Sequence, residues 1–175
     1  MKKHLIALIT AMLLLGGCAS SVTSDIVVEA EADPTIKFSG YKTYAWLGSA
    51  SIVYDPAGKW EPPQFDADTE IKFLIDSELR KRGMSEDTAN PALIVVFAAG
   101  IDMAAMREEV DPNSNIAALQ NVPQGALTVV LIDSLTGVAV WGGVATADIQ
   151  QDPDSEVVKK RLAFAVSSMF KQLPE

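Results

Sequence analysis

The run Ala92-Leu93-Ile94-Val95-Val96-Phe97-Ala98-Ala99-Gly100-Ile101 sets the architecture of this chain of 175 residues. Side chains along a strand point to alternate faces, and in this run both alternating sets are apolar. A strand that is apolar on both faces lies inside a sheet and is covered on both sides. We therefore expect a central strand over 92–101, whose second cover is a loop, a dimer partner or a hydrophobic ligand.

Two helices are expected, one before this strand and one at the end of the chain. Over 67–82, apolar residues recur at helical spacing, acidic residues fill the first turn and Gly83 follows as a typical terminating residue. The second helix begins at the stop signal 152–155 and ends before Pro174. Its apolar stripe consists of Val158, Leu162, Ala165, Val166, Met169 and Phe170.

Further strands are expected near 41–47 and over 126–133, the second joined by a turn at 133–137 to one or two returning strands over 138–149. Aromatic residues in the first of these strands belong to the core more often than to a ligand platform. Gly142-Gly143 indicates a bulge or a close backbone approach. The element order β-α-β-β-β-α predicts an α+β two-layer sandwich, in which two helices cover one face of a mostly antiparallel sheet.

Two long connecting segments, 48–64 and 102–124, are predicted to be loops because Pro and Gly interrupt them. Candidate binding residues of the first are Tyr54, Trp60 and Phe65. Those of the second are Met103, Met106 and Arg107. The aromatic residues form either a binding surface or a cover over the sheet or a helix. The second segment forms either an adaptable contact surface or a solvated hairpin extension, with a helical turn near 116–120.

The N-terminus has the pattern of an export signal. A basic start precedes the apolar run from Leu5 to Leu15, which is shorter than the ~20 residues that span a bilayer. Leu15-Gly16-Gly17-Cys18 resembles the bacterial lipobox. That resemblance implies cleavage after residue 17, a diacylglycerol on the Cys18 sulfur and an acyl chain such as palmitate on the new N-terminus. Ala19, in place of Asp, favours the outer membrane over the inner membrane.

The expected organisation is a lipoprotein signal peptide over 1–17, a lipidated N-terminus and tether over 18–32, and one domain over 33–175. The tether is either flexible throughout or ends in a short edge strand. Loss of Lys2 and Lys3 with the signal changes the formal net charge from −9 to −11. So acidic a chain does not favour DNA, RNA or anionic lipid surfaces as partners.

The same cleavage restricts the chemistry. His4 is the only histidine and Cys18 the only cysteine, so the expected mature domain has neither Ser-His-Asp nor Cys-His catalysis, nor a zinc site of the His/Cys type. Carboxylates remain as acid-base candidates, and Asp133 and Asp148 could act as a pair if the hairpin register brought them together. We expect no enzyme, no catalytic residues, no metal and no cofactor.

A family resemblance rests on four segments. They are Asp33-Pro34 with the Phe38-x-x-Tyr41-x-Thr43-Tyr44-x-Trp46 pattern, the helix around 71–83, the strand start at 90–95, and residues 133–143 with Thr136-Gly137 and Trp141. In this pattern the chain resembles the DUF4136 family of bacterial envelope lipoproteins. The resemblance implies fold and location, and it implies no established activity. Gly142 departs from the family, in which a basic or polar residue often stands there.

The functional expectation is a membrane-anchored envelope lipoprotein that acts as a non-enzymatic binding or structural module facing the periplasm. Its partner would be an envelope protein or a cell-wall component. The alternatives are a carrier or assembly factor for a lipid-like ligand, which the two-faced strand 92–101 favours, and a carboxylate-dependent envelope hydrolase.

Overall fold

The computed structural model describes residues 22–110, 117–150 and 154–175. Cys18 and the predicted signal peptide therefore lie outside the described residues. The strands are β1 Val27–Ala32, β2 Thr43–Tyr54, β3 Ser85–Glu86, β4 Leu93–Asp102, β5 Met106–Val110, β6 Ala117–Asn121, β7 Gln124–Asp133 and β8 Ala139–Asp148. The helices are α1 Ala67–Lys81 and α2 Ser155–Phe170, and a short 3-10 helix covers Phe38–Gly40.

Six strands form one mixed sheet in the order β1-β8-β7-β4-β2-β3. The pairs β1–β8, β8–β7 and β7–β4 are antiparallel, whereas β2 runs parallel to β4 and β3. Strand β4 lies inside the sheet, as its two apolar faces predicted. The predicted fold class, an α+β two-layer sandwich with a mostly antiparallel sheet and two helices, is confirmed, although the described residues form eight strands where four were expected.

The core lies between the helices and one face of the sheet. Paired residues in neighbouring strands share a face, so the register groups the core into rows across the sheet. One row joins Val95, Leu131 and Trp141, and the next joins Phe97, Val129 and Gly143. All six are buried. Helices α1 and α2 cover these rows with seven buried apolar residues: Ile71, Ile75, Leu79, Ala165, Val166, Met169 and Phe170.

The outer sheet face, defined here by Ile94, Val96, Val130, Ile132 and Val144, points away from this core. These side chains alternate with the core residues along β4, β7 and β8 and are half-buried, except for Val144, which is 39% exposed. Both described helices contribute their buried residues to the core on the opposite side. The two helices therefore cover one face of the central strand β4, and the described helices do not cover its other face.

The prediction of a loop from residue 48 onward is wrong for its first seven residues. Strand β2 continues to Tyr54, with Gly48 paired to Val96 and Tyr54 paired to Asp102. The register shifts between Trp46 and Gly48, which makes Leu47 the extra residue of a bulge. Gly48 therefore marks an irregularity within a strand rather than its end.

The segment 102–124 is a hairpin extension for the most part, and the predicted helical turn near 116–120 is wrong. Residues 117–120 belong to β6, which pairs with β5 from Met106–Asn121 to Val110–Ala117; residue 116 lies outside the described residues. Apart from the half-buried Arg107, the side chains of β5 and β6 are exposed, as expected of a two-stranded ribbon in solvent.

Of the two interpretations of residues 19–32, the structure has the edge strand. Strand β1 pairs with β8 from Val27–Thr146 to Ala32–Trp141, so the sheet begins before residue 33.

Of the two interpretations of Gly142-Gly143, a bulge or a close backbone approach, the structure has the close approach. A Cβ atom on Gly143 would lie 2.8 Å from Cη2 of Trp141 and 3.0 Å from Sδ of Met169.

Candidate functional site

On the face of the sheet that is turned toward the helices, the side chains become smaller toward one end of the strands. Beyond the row of Phe97 and Val129, the next row consists of Ser51, Ala99, Leu127 and Ala145. The row after that consists of Val53, Ile101, Gly125 and Ala147. Small residues thus replace large ones on two of the central strands, and the helices add Ala67 and Ala165 opposite them. Less of the interlayer space is filled at this end of the sandwich.

The unfilled space is a cavity of about 540 Å³. Its floor is the sheet from Ser51 to Ala147, its walls are the first half of each helix, and its mouth carries Trp60, Phe65 and Ile149. A volume of this size lies within the ~300–1,000 Å³ typical of small-molecule sites. The lining is mostly apolar, so the cavity suits an apolar chain or ring better than a polar metabolite.

One side of the mouth is formed by the cover segment, residues 55–65. The Asp55 carboxylate accepts a hydrogen bond from the backbone N–H of Trp60 at 2.6 Å, which closes the turn of the segment. The Lys159 ammonium lies 5.4 Å from the centroid of the Phe65 ring, a cation–π contact with α2. The cover segment is thereby joined to the second helix across the cavity mouth.

The opposite side of the mouth is held by Arg161. Its guanidinium binds both carboxylate oxygens of Asp25 at 2.7 and 2.6 Å, and it also donates to the backbone carbonyls of Val22 and Asp148. The hydrogen bond from Arg161 lowers the pKa of Asp25 from 3.8 to about 2, even though partial burial acts in the other direction. Arg161 is therefore fully engaged and offers little free positive charge to a ligand.

The remaining charged groups on the lining are carboxylates. Asp66 caps α1 by accepting hydrogen bonds from the backbone N–H of Thr69 at 3.1 Å and its hydroxyl at 2.7 Å. These bonds, the hydroxyl first, lower the pKa of Asp66. Asp68 accepts from the hydroxyls of Ser49 and Ser51. Ionised carboxylates beside an apolar cavity repel an anionic head group.

The structure distributes the candidate residues over two places. Trp60 and Phe65 line the cavity mouth. Tyr54 is not among the lining residues; it is 58% exposed at the end of β2, and its carbonyl accepts a bond from the Met103 N–H at 2.9 Å. Met103 and Met106 belong to the start of the β5–β6 hairpin, where Met106 is 57% exposed. The six residues do not form one continuous surface.

Arg107 connects the hairpin to the cavity. Its guanidinium forms a two-fold contact with the carboxylate of Asp148, a lining residue, and this contact raises the pKa of Arg107. Asp148 is in turn tied through its backbone to Asp25 and Arg161. The pair thus belongs to a polar network along one side of the mouth.

The hypothetical pair of Asp133 and Asp148 is wrong. Asp133 is paired with Leu93 at one end of β7, and Asp148 is paired with Gln124 at the other end. Asp133 instead accepts bonds from the Tyr41 hydroxyl at 2.8 Å and from Leu135 and Thr136 in the turn. These bonds, that of the Thr136 backbone first, lower its pKa. Asp133 is a turn residue.

Sequence reasoning missed the residues that create the cavity, chiefly Ala99, Gly125, Ala147 and Arg161. The available signal was weak: small residues at alternate positions of two strands, together with an arginine inside the apolar stripe of α2. Within the described ranges, no group of three or more His, Cys, Asp or Glu side chains could hold a metal ion. No helix in the same ranges has both the length and the hydropathy that a membrane span needs.

One family model and several solved structures are similar to this chain. The family model DUF4136, described as a domain of unknown function, matches residues 28–175. A DUF4136 family protein from Bacteroides thetaiotaomicron has a similar structure, with a TM-score of 0.55 and 11% identity, over 85% of this chain and 95% of that chain. Curated protein sequences gave no match.

Two further structures are less similar. A PDZ domain protein from Parabacteroides distasonis aligns with a TM-score of 0.49 and 14% identity. The alignment covers 86% of this chain but only 37% of the longer PDZ domain protein. A minor lipoprotein from Acinetobacter baumannii aligns with a TM-score of 0.38 and 11% identity over 77% of this chain and 93% of that chain. At such identities, these likenesses concern the fold alone.

Proposed function

The chain belongs to the DUF4136 family, and from that premise we propose that it is an envelope lipoprotein, anchored through Cys18, that works as a non-enzymatic binding module for an uncharged, lipid-like apolar ligand. The observation that carries the proposal is the cavity of about 540 Å³ between the sheet and the two helices. A mostly apolar pocket of this size favours apolar molecules, because their binding removes apolar surface from water.

The charges at the mouth support the choice of an uncharged ligand. Asp66 and Asp68 lie on the lining. The cations at or beside the mouth are paired with carboxylates: Arg161 with Asp25, Arg107 with Asp148 and Lys159 with Glu156. A free fatty acid or a phosphate ester would bring a further anion toward Asp66 and Asp68 without an unpaired cation to meet it. An ester, an amide or a hydrocarbon end meets no such penalty.

The ligand proposal is tested with two dyes on an unlipidated full mature chain, made by the Cys18→Ser substitution behind a cleavable signal. We expect the uncharged dye N-phenyl-1-naphthylamine to bind with micromolar affinity and an anionic naphthalene sulfonate to bind about tenfold more weakly. Equal binding of the two dyes would contradict the charge argument, and binding of neither would remove the cavity as a ligand site.

Matched variants locate the dye. Ala99→Phe fills the cavity floor and is expected to weaken dye binding about tenfold or more. Ala98→Phe places the same ring on the outer sheet face of the same strand, so it should leave binding unchanged. Ala147→Phe is a second filling variant, in case Ala99→Phe unfolds. If dye binding survives in folded forms of both filling variants, the dye sits elsewhere.

Anchoring and location are the second part of the proposal, and they rest on the lipobox-like Leu15-Gly16-Gly17-Cys18 and on Ala19. We expect the protein on the periplasmic side of the outer membrane, because the residue directly after Cys18 is Ala19 and not an aspartate. Cys18→Ala should abolish incorporation of labelled palmitate and membrane fractionation. Fractionation that does not change would contradict the anchor, and sedimentation with inner membranes would contradict the location.

A protein partner in the envelope is supported by the outer sheet face. Its side chains are aliphatic and form a continuous patch over β4, β7 and β8, which fits the apolar centre of a protein interface better than a polar glycan strand. Photo-crosslinking from Val96 in intact cells, with Glu156 as the exposed control position on α2, tests this. A protein adduct specific to Val96 is expected; the same adducts from both positions would contradict it.

A further inference from the structure

We propose that one acyl chain of the lipid carried by Cys18 occupies the cavity of the same molecule. The inference rests on the proposed function, because it needs both the lipid anchor and an apolar ligand site. It goes further by naming the ligand, which is the protein's own anchor.

The N-terminal segment is held at the cavity mouth. Arg161, a lining residue, donates to the carbonyl of Val22 and binds the carboxylate of Asp25 with two hydrogen bonds. Ile26, the next residue, is itself part of the lining. The described chain thus begins beside the opening, and its first residues are fixed there by a charged pair of which the arginine side chain is 11% exposed.

The distance from this point to Cys18 is short. Three residues lie between Cys18 and Val22, and the four residue steps from 18 to 22 span at most ~14 Å when fully extended. A lipid on the Cys18 sulfur is therefore confined to the neighbourhood of the cavity mouth whenever Asp25 and Arg161 are paired. No rearrangement of the described residues is needed for an acyl chain to reach the opening.

The charge of the lipid fits the mouth. A diacylglycerol joined to sulfur by a thioether carries no charge, and an amide at the N-terminus removes the charge of the amino group. This uncharged lipid can approach Asp66 and Asp68 where a fatty acid or an anionic phospholipid is repelled. The carboxylates at the cavity mouth therefore do not repel the protein's own lipid.

The tether favours the protein's own chain over others. A short link between two binding groups gives an effective concentration in the millimolar range, so the attached acyl chain competes well against free apolar molecules. A lipoprotein of this kind carries further acyl chains, which remain available for the bilayer. With one chain in the cavity and the others in the membrane, the cavity mouth faces the lipid surface.

The test is photo-crosslinking in the lipidated full chain, followed by tandem mass spectrometry. p-Benzoylphenylalanine in place of Phe65, an aromatic residue already at the cavity mouth, should join to the acyl chain on the peptide that begins with Cys18. The same group in place of Phe73, which is 63% exposed on α1 and is not a lining residue, should not. A crosslink from position 65 to detergent or to free lipid alone overturns this inference and leaves the ligand proposal standing. Absence of lipid on Cys18 overturns the anchor itself.

A thermal measurement checks the inference with less perturbation of the cavity. We expect the lipidated chain to unfold about 5 °C above the Cys18→Ser chain in the same detergent, because a bound ligand stabilises the folded state. Ala147→Phe should remove this difference, whereas Thr146→Phe should keep it. A lipidation effect of the same size in both variants would mean that the acyl chain stays outside the cavity.

Discussion

At the scale of single residues, Asp76 carries the buried carboxyl group of the described part of the chain. It is 9% exposed and accepts hydrogen bonds from the Tyr44 hydroxyl at 2.8 Å and from Nε1 of Trp46 at 3.1 Å. Burial first, and then the hydrogen bond to Asp76, raises the pKa of Tyr44 to about 12. The carboxylate thereby joins helix α1 to two aromatic residues of strand β2.

We predict that Asp76→Ala lowers the free energy of unfolding by about 1–3 kcal/mol, since it leaves a buried hydroxyl and an indole N–H without an acceptor. Asp76→Asn keeps a carbonyl oxygen for Tyr44 and should recover a good part of the loss. Glu78→Ala, which removes only a surface pair with Lys81, serves as the control, with a loss below about 0.5 kcal/mol. Urea unfolding measures all three, and equal losses for Asp76→Ala and Glu78→Ala would contradict the prediction.

A second residue-scale prediction concerns acid. The pKa of Asp25 is lowered to about 2 in the folded state, below its usual 3.8. Its stabilising effect is therefore complete above about pH 4 and is lost as the pH falls toward 2. The shift corresponds to about 2 kcal/mol at most, and the side chain is 28% exposed, so we expect about 1–2 kcal/mol.

The measurement compares the wild-type chain with Asp25→Asn by urea unfolding at pH 5 and pH 2. The wild-type chain should be more stable at pH 5, and the difference should nearly vanish at pH 2. Other carboxylates with lowered pKa values, Asp33, Asp66 and Asp133, are present in both proteins and cancel in the comparison. A difference that does not depend on pH would exclude the ion pair as its source.

At the scale of elements, strand β8 packs closely against α2 at Gly143. A Cβ atom there would lie 3.0 Å from Sδ of Met169 in α2 and 2.8 Å from the ring of buried Trp141, which lies 5.0 Å, centroid to centroid, from Phe170. We predict that Gly143→Ala lowers the free energy of unfolding by about 1–3 kcal/mol, because a rigid buried ring must move.

Gly142→Ala is the matched control for this prediction. It is the adjacent residue, faces the outer side of the sheet, and its nearest neighbour would be the Val129 carbonyl at 4.0 Å. Its effect should stay within about 0.5 kcal/mol. Thermal or urea unfolding of the two variants decides the matter, and a Gly142→Ala loss as large as that of Gly143→Ala would show that strand propensity, rather than the close approach, controls both.

The elements that the sequence predicted are those whose signal is local. Helix α1 and strand β4 were expected within about one residue of their bounds, because the apolar spacing of each lies within its own segment. The end of β2 was missed, since Gly48 has the same appearance in a bulge as in a turn. The hairpin β5–β6 has no buried face, so it shows no clear apolar alternation.

The cavity could not have been predicted for a related reason. Each of its small residues is unremarkable along its own strand, and the space exists only because Ala99, Gly125 and Ala147 lie in adjacent rows of the sheet. Which residues share a row depends on the register of β4, β7 and β8 and on its shift between Leu131 and Ile132, and both are set by long-range pairing. Trp60 and Phe65 were recognised as candidates because aromatic residues in or beside a predicted loop can be identified without knowing how the strands pair.

At the scale of the whole molecule, the described N-terminal segment, residues 22–32, is part of the folded domain. Strand β1 covers the edge of β8 with six paired residues, and Asp25 just before it engages Arg161 of α2. Val28, Ala30 and Ala32 pack against the core. The segment therefore closes one side of the sandwich beside the cavity mouth.

We predict that a chain beginning at residue 33 is less stable than one beginning at residue 22 by about 3 kcal/mol or more, from the lost backbone pairs, the apolar contacts and the ion pair. It should also aggregate more readily, because the edge of β8 is then open to pairing with another chain. A chain beginning at 22 with Val28→Ala, which keeps the backbone pairs, should show a smaller loss. Urea unfolding and light scattering are the measurements. Equal unfolding midpoints for the chains beginning at 22 and at 33 would mean that β1 is an accessory to the domain, and that Arg161 needs no partner from the N-terminal segment to hold the cavity mouth in place.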